Sequence, residues 1–270
     1  MRFGEVFFAL LVPAIFGNAQ AATQSLQARQ SPPTEIQIRH LNVVSDDLPA
    51  ADRERVIRCL QGHAYVSGEF EERTRQSLRD LGYYFARVDG AEISEVHEDK
   101  SGKSADVTLK VKPGQQYHLG FIGFKHATLF SPDQLRSQFP IQTGSLFCAS
   151  SVGYGLEKVK SLYQDKGHIN FGAIPLPTID ESHHTVDLTI DLDEGQQYVF
   201  GHLTLDGVEP GAGTGKALME AWEGLQGKTY NAELLTDWLK SNWPATTQNQ
   251  YYVRAAENDP RQVNLFLQFR

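Results

Sequence analysis

Two segments of this sequence have residue types and spacing that could support chemistry. The first, at residues 210–216 (PGAGTGK), is glycine-rich and ends in lysine, as phosphate-binding loops do. Such a loop needs glycine where this chain has Pro210, and serine or threonine where it has Ala217, so a flexible strand-to-helix loop is favoured. The second is His183-His184, which falls in a predicted hairpin turn. Because no HExxH pattern or spaced acidic partner accompanies these histidines, a solvated turn is favoured over a metal site.

The two cysteines, Cys59 and Cys148, are a third candidate. Neither has a histidine or aspartate partner that the sequence identifies, so a nucleophilic role has little support. Cys59 falls at the inward end of a predicted helix, where a small buried side chain is expected. An oxidising compartment would permit a disulfide between Cys59 and Cys148, and the separation of their Cα atoms decides whether it forms. We therefore predict no catalytic residue, no metal and no cofactor.

Composition excludes several classes of protein. The 270 residues include 25 Lys and Arg against 33 Asp and Glu, for a formal net charge of −8. A nucleic-acid-binding protein would need a basic surface, so nucleic acid is not an expected partner. Hydrophobic residues make up 40% and charged residues 21%, which is ordinary for a globular protein. Two cysteines are too few for a disulfide scaffold.

The N-terminus carries the features of a secretory signal peptide. The apolar run at residues 6–16 is too short to cross a bilayer, which takes about 20 residues. It is followed by Ala19-Gln-Ala21, a pattern typical of signal-peptide cleavage, although Glu5 is unusual in a segment that is normally positive. We predict a signal peptide at residues 1–21, a polar disordered tether at residues 22–34, and no membrane span in the mature chain.

The chain repeats itself at a spacing of about 80 residues. Gly114-Gln-Gln-Tyr117 recurs as Gly195-Gln-Gln-Tyr198, 81 positions further along, and Gly120 likewise matches Gly201. A second echo joins the stretch around Gly82 to that around Gly167, 85 positions apart. Two landmarks at nearly one spacing indicate tandem units. We predict three domains, at residues 35–114, 115–195 and 196–270, of which the third diverges most.

Hydrophobic periodicity gives each unit the order β-α-α-β-β. Ser131 before Pro132 predicts a helix start, because serine is a good N-cap and proline suits the first helical position. An irregularity near His40 interrupts the first strand. The predicted elements lie at 35–44, 52–60, 69–81, 85–96 and 105–111 in the first unit; 117–124, 131–139, 150–166, 169–179 and 185–192 in the second; and 198–205, 217–223, 232–242, 251–256 and 262–269 in the third.

This unit resembles the POTRA (polypeptide-transport-associated) domain, which occurs in tandem in outer-membrane assembly factors of the BamA and TamA kind. The resemblance covers roughly residues 35–270 and implies an α+β fold, with a tandem array of small domains. Each domain would have a three-stranded sheet covered on one face by two helices. The stretches that carry the resemblance are Leu81-Gly82-Tyr83, Lys166-Gly167-His168, Val111-Lys-Pro-Gly114 and Leu192-Asp-Glu-Gly195. Members also carry a C-terminal β-barrel, whereas this chain stops at Arg270, so we expect a soluble periplasmic array associated with the outer membrane.

The edge of the predicted sheet is the part of each domain that could bind a partner. An unpaired edge strand offers N–H and C=O groups to an extended chain, and the resemblance implies that such modules handle unfolded outer-membrane polypeptides. In the second unit, Pro175 and Pro177 remove donors and protect the edge. The first unit has no proline there, so we predict a peptide-binding strand that includes Arg87, Val88, Ala91, Ile93 and Val96. The alternative is that its charged residues only blunt this edge.

The sequence therefore predicts a non-enzymatic periplasmic scaffold in outer-membrane protein assembly or secretion, which binds extended chains by adding a strand to a sheet. The expected partners are unfolded outer-membrane polypeptides, an outer-membrane β-barrel protein, or both. Two alternatives remain open: an adaptor that docks a folded outer-membrane partner, and a barrel-less truncation of an assembly factor. An enzyme would need a cleft where titratable groups converge, and no motif in the sequence indicates one.

Overall fold

The computed structural model describes residues 35–66, 69–99, 102–243 and 250–269, and these form three small sheets with their helices. The predicted signal peptide and tether lie outside the described residues. The elements of domain 1 are β1 (Glu35–Val44), α1 (Ala50–Leu60), β2 (Ala64–Val66), α2 (Glu69–Asp80), β3 (Arg87–Asp99) and β4 (Gly102–Lys112). Domain 2 comprises β5 (His118–Lys125), α3 (Pro132–Arg136), α4 (Ala149–Asp165), β6 (Gly172–Asp180) and β7 (Thr185–Asp193). Domain 3 comprises β8 (Val199–Asp206), α5 (Gly213–Glu223), α6 (Ala232–Asn242), β9 (Gln250–Ala255) and β10 (Gln262–Gln268).

The three sheets share one topology. In each sheet the last strand is central, the first strand pairs with it in parallel, and the first strand of the hairpin pairs with it antiparallel. Parallel pairing needs a long crossover, which the two helices of each domain supply. The central strands alternate buried and partly exposed residues, so one face of each sheet packs on the helices and the other is left open.

The sheet of domain 1 differs from the three-stranded expectation because β2 adds a fourth strand. The short strand β2 pairs antiparallel with the start of β1, from Glu35 opposite Val66 to Gln37 opposite Ala64. In domains 2 and 3 the same side of the sheet carries single bridges, His118 to Leu146 and Val199 to Thr229. The outer edge of each first strand is thus partly covered, and the strands left at the opposite edge are β3, β6 and β9.

The predicted irregularity near His40 is confirmed as a β-bulge, and the first strands of the other domains carry one too. In domain 2 the Asp187 side chain accepts a hydrogen bond from the backbone N–H of Phe121 at 3.1 Å. In domain 3 the Asn264 side chain accepts a hydrogen bond from the backbone N–H of His202 at 2.8 Å. The bulges of domains 2 and 3 need glycine. A Cβ at Gly120 would lie 1.8 Å from the Asp187 side-chain oxygen, and a Cβ at Gly201 would lie 2.1 Å from the Asn264 side-chain oxygen.

The other repeated motif forms the joints between domains. The Tyr117 N–H donates to the carbonyl of Gly82 at 2.8 Å, and the Tyr198 N–H donates to that of Gly167 at 2.9 Å. Beside these bonds, the side-chain amide of Gln116 donates to the Leu81 carbonyl and that of Gln197 donates to the Lys166 carbonyl, each at 2.9 Å. The two repeated sequence motifs, the glycine after the second helix and the Gly-Gln-Gln-Tyr stretch, are therefore bonded to each other at both joints.

A carboxylate of domain 1 also caps a helix of domain 2. Among the described residues, Cys148 at the N-cap of α4 provides no capping hydrogen bond from its side chain. Asp80, at the end of α2, instead accepts from the Ser150 N–H at 2.8 Å and from the Ser150 hydroxyl at 2.6 Å. A helix N-terminus has N–H groups without partners inside the helix. Asp80 therefore provides, from the neighbouring domain, the capping acceptor that Cys148 does not provide. The shorter helix α3 begins as predicted, with Ser131 and Gln134 forming a capping box before the core residue Leu135.

Close packing in the core of domain 2 predicts opposite effects for two neighbouring glycines of α4. A Cβ at buried Gly155 would lie 2.1 Å from the ring of Phe139, whereas a Cβ at Gly153 meets nothing within 4 Å. We expect Gly155→Ala to lower the free energy of unfolding by about 1–3 kcal/mol through overpacking. The matched change Gly153→Ala should raise it by about 0.5–1 kcal/mol, since alanine favours the helix. Urea unfolding measures both, and equal effects of the two changes would contradict this packing.

The carboxylate of Glu194 predicts an acid-dependent loss of stability. It accepts hydrogen bonds from the Thr128 N–H at 2.6 Å, the Leu129 N–H at 3.0 Å and the Tyr163 hydroxyl at 2.7 Å. Burial by itself would raise the pKa of Glu194. The Thr128 hydroxyl also donates to this carboxylate, and together these donors outweigh burial and lower the pKa from 4.5 to about 2. The stabilisation is therefore full above the unfolded pKa and is lost as the pH falls through the folded value.

We expect Glu194→Gln to cost about 1–3 kcal/mol near neutral pH, because an amide cannot accept from all of these donors. The penalty should shrink as the pH falls from about 4.5 through about 2, because the wild-type carboxyl also becomes protonated over this range. Urea unfolding of both proteins at a series of pH values measures the difference. A penalty that does not change with pH would show that the charge of Glu194 contributes nothing.

Candidate functional site

The candidate binding site lies at the open edges of the sheets, formed by β3, β6 and β9. The three strands occupy the same place in their domains but differ in regularity. An edge can accept a further strand only where its backbone is extended and its outward N–H groups are present. The geometry of each strand therefore decides which edge could bind an extended chain.

The edge of β3, predicted from sequence, is interrupted by two bulges. The register with β4 shifts between Val88 and Gly90 and again between Ser94 and His97. Within the second bulge Glu95 has a left-handed backbone, with φ of 47°, which an L-residue adopts only in an irregular strand. Between the bulges, residues 90–94 pair regularly with β4. The stretch of β3 that could add a strand is thus shorter than the predicted 87–96.

The predicted peptide-binding residues of β3 divide into two groups. The side chains of Val88, Ala91 and Ile93 pack against the core of domain 1, so only their backbone lies at the edge. Arg87 and Val96 are exposed at the two ends of this stretch. Side-chain contacts from this set to a bound chain would therefore come from Arg87 and Val96.

Ion pairs surround the second bulge of β3. The Arg39 guanidinium lies 2.8 Å from Glu95 and 2.8 Å from Asp106, and so joins β1, β3 and β4. The hydrogen bond from Arg39, assisted by one from His40, lowers the pKa of Asp106 to about 2 despite partial desolvation. This charged cluster lies at the second bulge and blunts that end of the edge.

The edge of β6 is closed by proline. Its ladder with β7 is continuous from Gly172 opposite Asp193 to Asp180 opposite Thr185. Proline has no N–H to give to a ladder, so Pro175 and Pro177 fit only where the backbone nitrogen faces away from β7. Two outward donors are therefore missing from the edge itself.

The edge of β9 is regular, and sequence reasoning did not single it out. Its pairing with β10 runs without a shift from Ala255 opposite Val263 to Gln250 opposite Gln268. Tyr251 and Tyr252 are exposed, and the Tyr252 ring stacks on Phe266 with centroids 4.8 Å apart. The proline-free Tyr-Tyr-Val run was the available signal, because aromatic and β-branched residues favour strands.

The other sequence candidates hold structural places. Residues 207–212 connect β8 to α5, which begins at Gly213, so the glycine-rich segment 210–216 comprises the end of this loop and the first residues of the helix. His183 lies in the β6–β7 turn, and its Nδ1 is 2.7 Å from an Asp180 oxygen. Hydrogen bonds from Ser182 and His183 hold the pKa of Asp180 well below its usual value. Within the described ranges, no group of three or more His, Cys, Asp or Glu side chains is placed to hold a metal ion.

The cysteines are both free thiols, and the disulfide considered from sequence is not formed in this structure. The expectation that Cys59 is buried is wrong, because its side chain points to solvent from the outer side of α1, between the core residues Val56 and Leu60. Cys148 is half-buried at the first joint, 3.8 Å from the Asp80 carboxylate. None of the helices in the part of the chain that the structure describes is long and apolar enough to span a membrane.

Comparison with known proteins identifies the fold. The family model of the POTRA domain, described as "Surface antigen variable number repeat", matches residues 117–195. The crystal structure of Haemophilus influenzae BamA POTRA3-5 superposes with a TM-score of 0.58 at 14% identity, covering 91% of this chain and 100% of that chain. The N-terminal domain of Omp85 from Thermosynechococcus elongatus has a TM-score of 0.33 at 15% identity, covering 87% and 96%. Domain 2 thus matches the POTRA family, and the chain is a tandem array of domains with the POTRA fold.

Proposed function

We propose that this chain is a periplasmic scaffold, without enzymatic activity, that binds polypeptides in outer-membrane protein assembly or secretion. The observation that carries the proposal is the asymmetry of its sheets. The outer side of each first strand is paired with β2 or bridged, whereas β3, β6 and β9 lie at the opposite edges. An edge of this kind binds an extended chain through main-chain hydrogen bonds, with little demand on its sequence. Unfolded outer-membrane polypeptides and β-barrel proteins are the proposed partners.

Two of the three edges suit this role. Residues 90–94 of β3 pair regularly with β4, with Arg87 and Val96 exposed on either side. Along β9 the pairing is regular from residue 250 to residue 255, and the two exposed tyrosines add aromatic surface that favours apolar and aromatic side chains of a client. The prolines of β6 exclude it as a third site. The array therefore offers binding edges in its outer domains and a closed edge in the middle.

Amide NMR of the isotope-labelled chain tests this with a strand peptide of about ten alternating apolar and polar residues. We expect the peptide to shift amides in residues 90–94 or 250–255 and to leave residues 172–180 unmoved. A peptide of the same sequence with an N-methyl group at every residue should have no effect, because neither of its edges has donors for a ladder. Equal shifts from both peptides, or none from either, would contradict binding by strand addition.

A gain of binding in the middle domain gives a second test. The double change Pro175→Val with Pro177→Val restores two N–H groups to the edge of β6 and places β-branched residues that suit a strand. We expect this variant to show new peptide-induced shifts along residues 172–180, with the fold of domain 2 unchanged. If the edge gains donors and still does not respond to the peptide, backbone pairing is not the mode of binding.

A further inference from the structure

Domain 2 carries exposed apolar side chains on the face of its sheet that the helices leave open. Phe121 is 49% exposed, Ile174 64% and Leu176 44%. Their neighbours Ala173 and Ile179 on β6 pack against the core on the opposite face. Because side chains alternate along a strand, Ile174 and Leu176 must project from the open face.

The three side chains form a strip that crosses the whole sheet. Leu176 lies opposite Thr189 of the central strand, and Thr189 in turn lies opposite Gly123 of β5. The ring of Phe121 covers this glycine, since a Cβ at Gly123 would be 3.2 Å from it. Beside Leu176, Ile174 extends the strip along β6. We call the set of Phe121, Ile174, Leu176 and Thr189 the apolar strip.

The fold does not require this strip, because domain 1 builds the same sheet without it. There, strand pairing places Gly90 opposite Lys110 and Glu92 opposite Thr108. These positions correspond to Ile174 opposite Asp191 and Leu176 opposite Thr189 in domain 2. A single large exposed apolar residue needs no explanation, but three in one contiguous strip mark an interaction surface.

The charges around the strip favour a basic partner. Asp187, Asp191 and Asp193 alternate with core residues along β7, so their carboxylates lie on the open face. At positions equivalent to Asp191 and Asp193, domain 1 has Lys110 and Lys112. On the same face, Lys125 at one end lies opposite Asp191, and the His126 ring contacts the Asp191 carboxylate at 2.6 Å. Lysine or arginine flanking an apolar surface would complement this pattern.

We propose that the open face of domain 2 binds an amphipathic helix of a partner protein, whose apolar side is flanked by lysine or arginine. The prolines of β6 prevent a partner from extending the sheet, so the contact is made on the face. The outer strands of a three-stranded sheet lie about 10 Å apart, and a helix with its side chains is about 10–12 Å wide. A helix laid on this strip would complete the second layer that a sheet face needs to bury its apolar residues. This binding does not depend on the open edges of β3 and β9.

The test uses a fluorescent amphipathic peptide of about 18 residues that contains leucine and lysine at helical spacing, with a leucine and glutamate peptide as its match. Binding to the full chain is followed by anisotropy. We expect the lysine peptide to bind, its affinity to fall between about 50 and about 500 mM salt, and the glutamate peptide to bind far more weakly. Equal binding of both peptides would overturn the charge assignment, and no binding of either would overturn the site.

Leu176→Glu is the critical variant, because domain 1 has glutamate at the equivalent position. It should weaken binding of the lysine peptide about tenfold or more through loss of apolar contact. The variant makes the face more acidic, so attraction by charge alone would instead strengthen binding. Leu234→Glu on α6, also an exposed leucine, adds the same charge elsewhere and should leave the affinity unchanged.

Ile174→Gln gives a second variant that tests the strip if Leu176→Glu does not fold, since domain 3 has Gln250 at that position. It too should weaken binding, and wild-type affinity in a folded strip variant would overturn the proposal. Light scattering measures the oligomeric state of the chain, and so shows whether the strip binds a second copy of this protein instead of a different partner. A dimer that Leu176→Glu dissociates would show that the strip binds another copy of this protein, and would overturn the assignment to a helix.

Discussion

The hydrogen bond from the start of one domain to the glycine that ends the second helix of the preceding domain is the interaction on which the array depends. It requires Gly82 and Gly167, which have φ values of 89° and 85°. Side chains at these positions would be strained, and a Cβ at Gly167 would lie 2.7 Å from the Tyr198 carbonyl that it faces. Because the donors, Tyr117 and Tyr198, belong to the first residues of the following domain, the joint contains no free linker. Domains 2 and 3 are therefore attached to the preceding domain by residues at the start of their own folds.

The same tyrosines also organise the domains that they begin. The Tyr117 carbonyl accepts from the Phe147 N–H at 2.8 Å, and the Tyr198 carbonyl accepts from that of Tyr230 at 2.8 Å. Each tyrosine thus donates its N–H to the preceding domain and accepts, at its carbonyl, a hydrogen bond from a loop of its own domain. This arrangement uses the first-strand side of each sheet for assembly of the array and leaves the hairpin side for partners. The edges of β3, β6 and β9 and the open faces then differ in chemistry, although they share one topology.

Much of this architecture could be predicted from the sequence, because the repeated residues are those with a backbone role. The Gly-Gln-Gln-Tyr motif, the glycines after the second helices and the pair Gly120 and Gly201 all recur. In the structure the second glutamine of each motif donates a hydrogen bond across the joint, and the recurring glycines lie where φ is positive or where a Cβ would clash. The serine cap and the helix and strand order follow from local chemistry in the same way. The α+β tandem array inferred from these patterns is confirmed.

What the sequence did not predict depends on contacts between distant residues. The strand β2 is only three residues long and is defined by its pairing with β1, so no periodicity reveals it. The bulge at Glu95 lies beside Arg39, 56 positions away in the chain, with which Glu95 forms an ion pair. The position of Cys59 depends on which side of α1 meets the sheet, and the regular edge of β9 depends on its register with β10. These features set the binding surfaces, and they require the tertiary structure.

Two hydrogen-bonded joints hold the three domains as one array, so that edges and faces keep fixed relative directions. Residual dipolar couplings of the partly aligned chain in solution test it most directly, because each domain reports its own alignment tensor. We expect the three tensors to agree in magnitude and orientation when they are fitted to this structure. Tensors that differ between domains would show that the joints are free hinges and would contradict it.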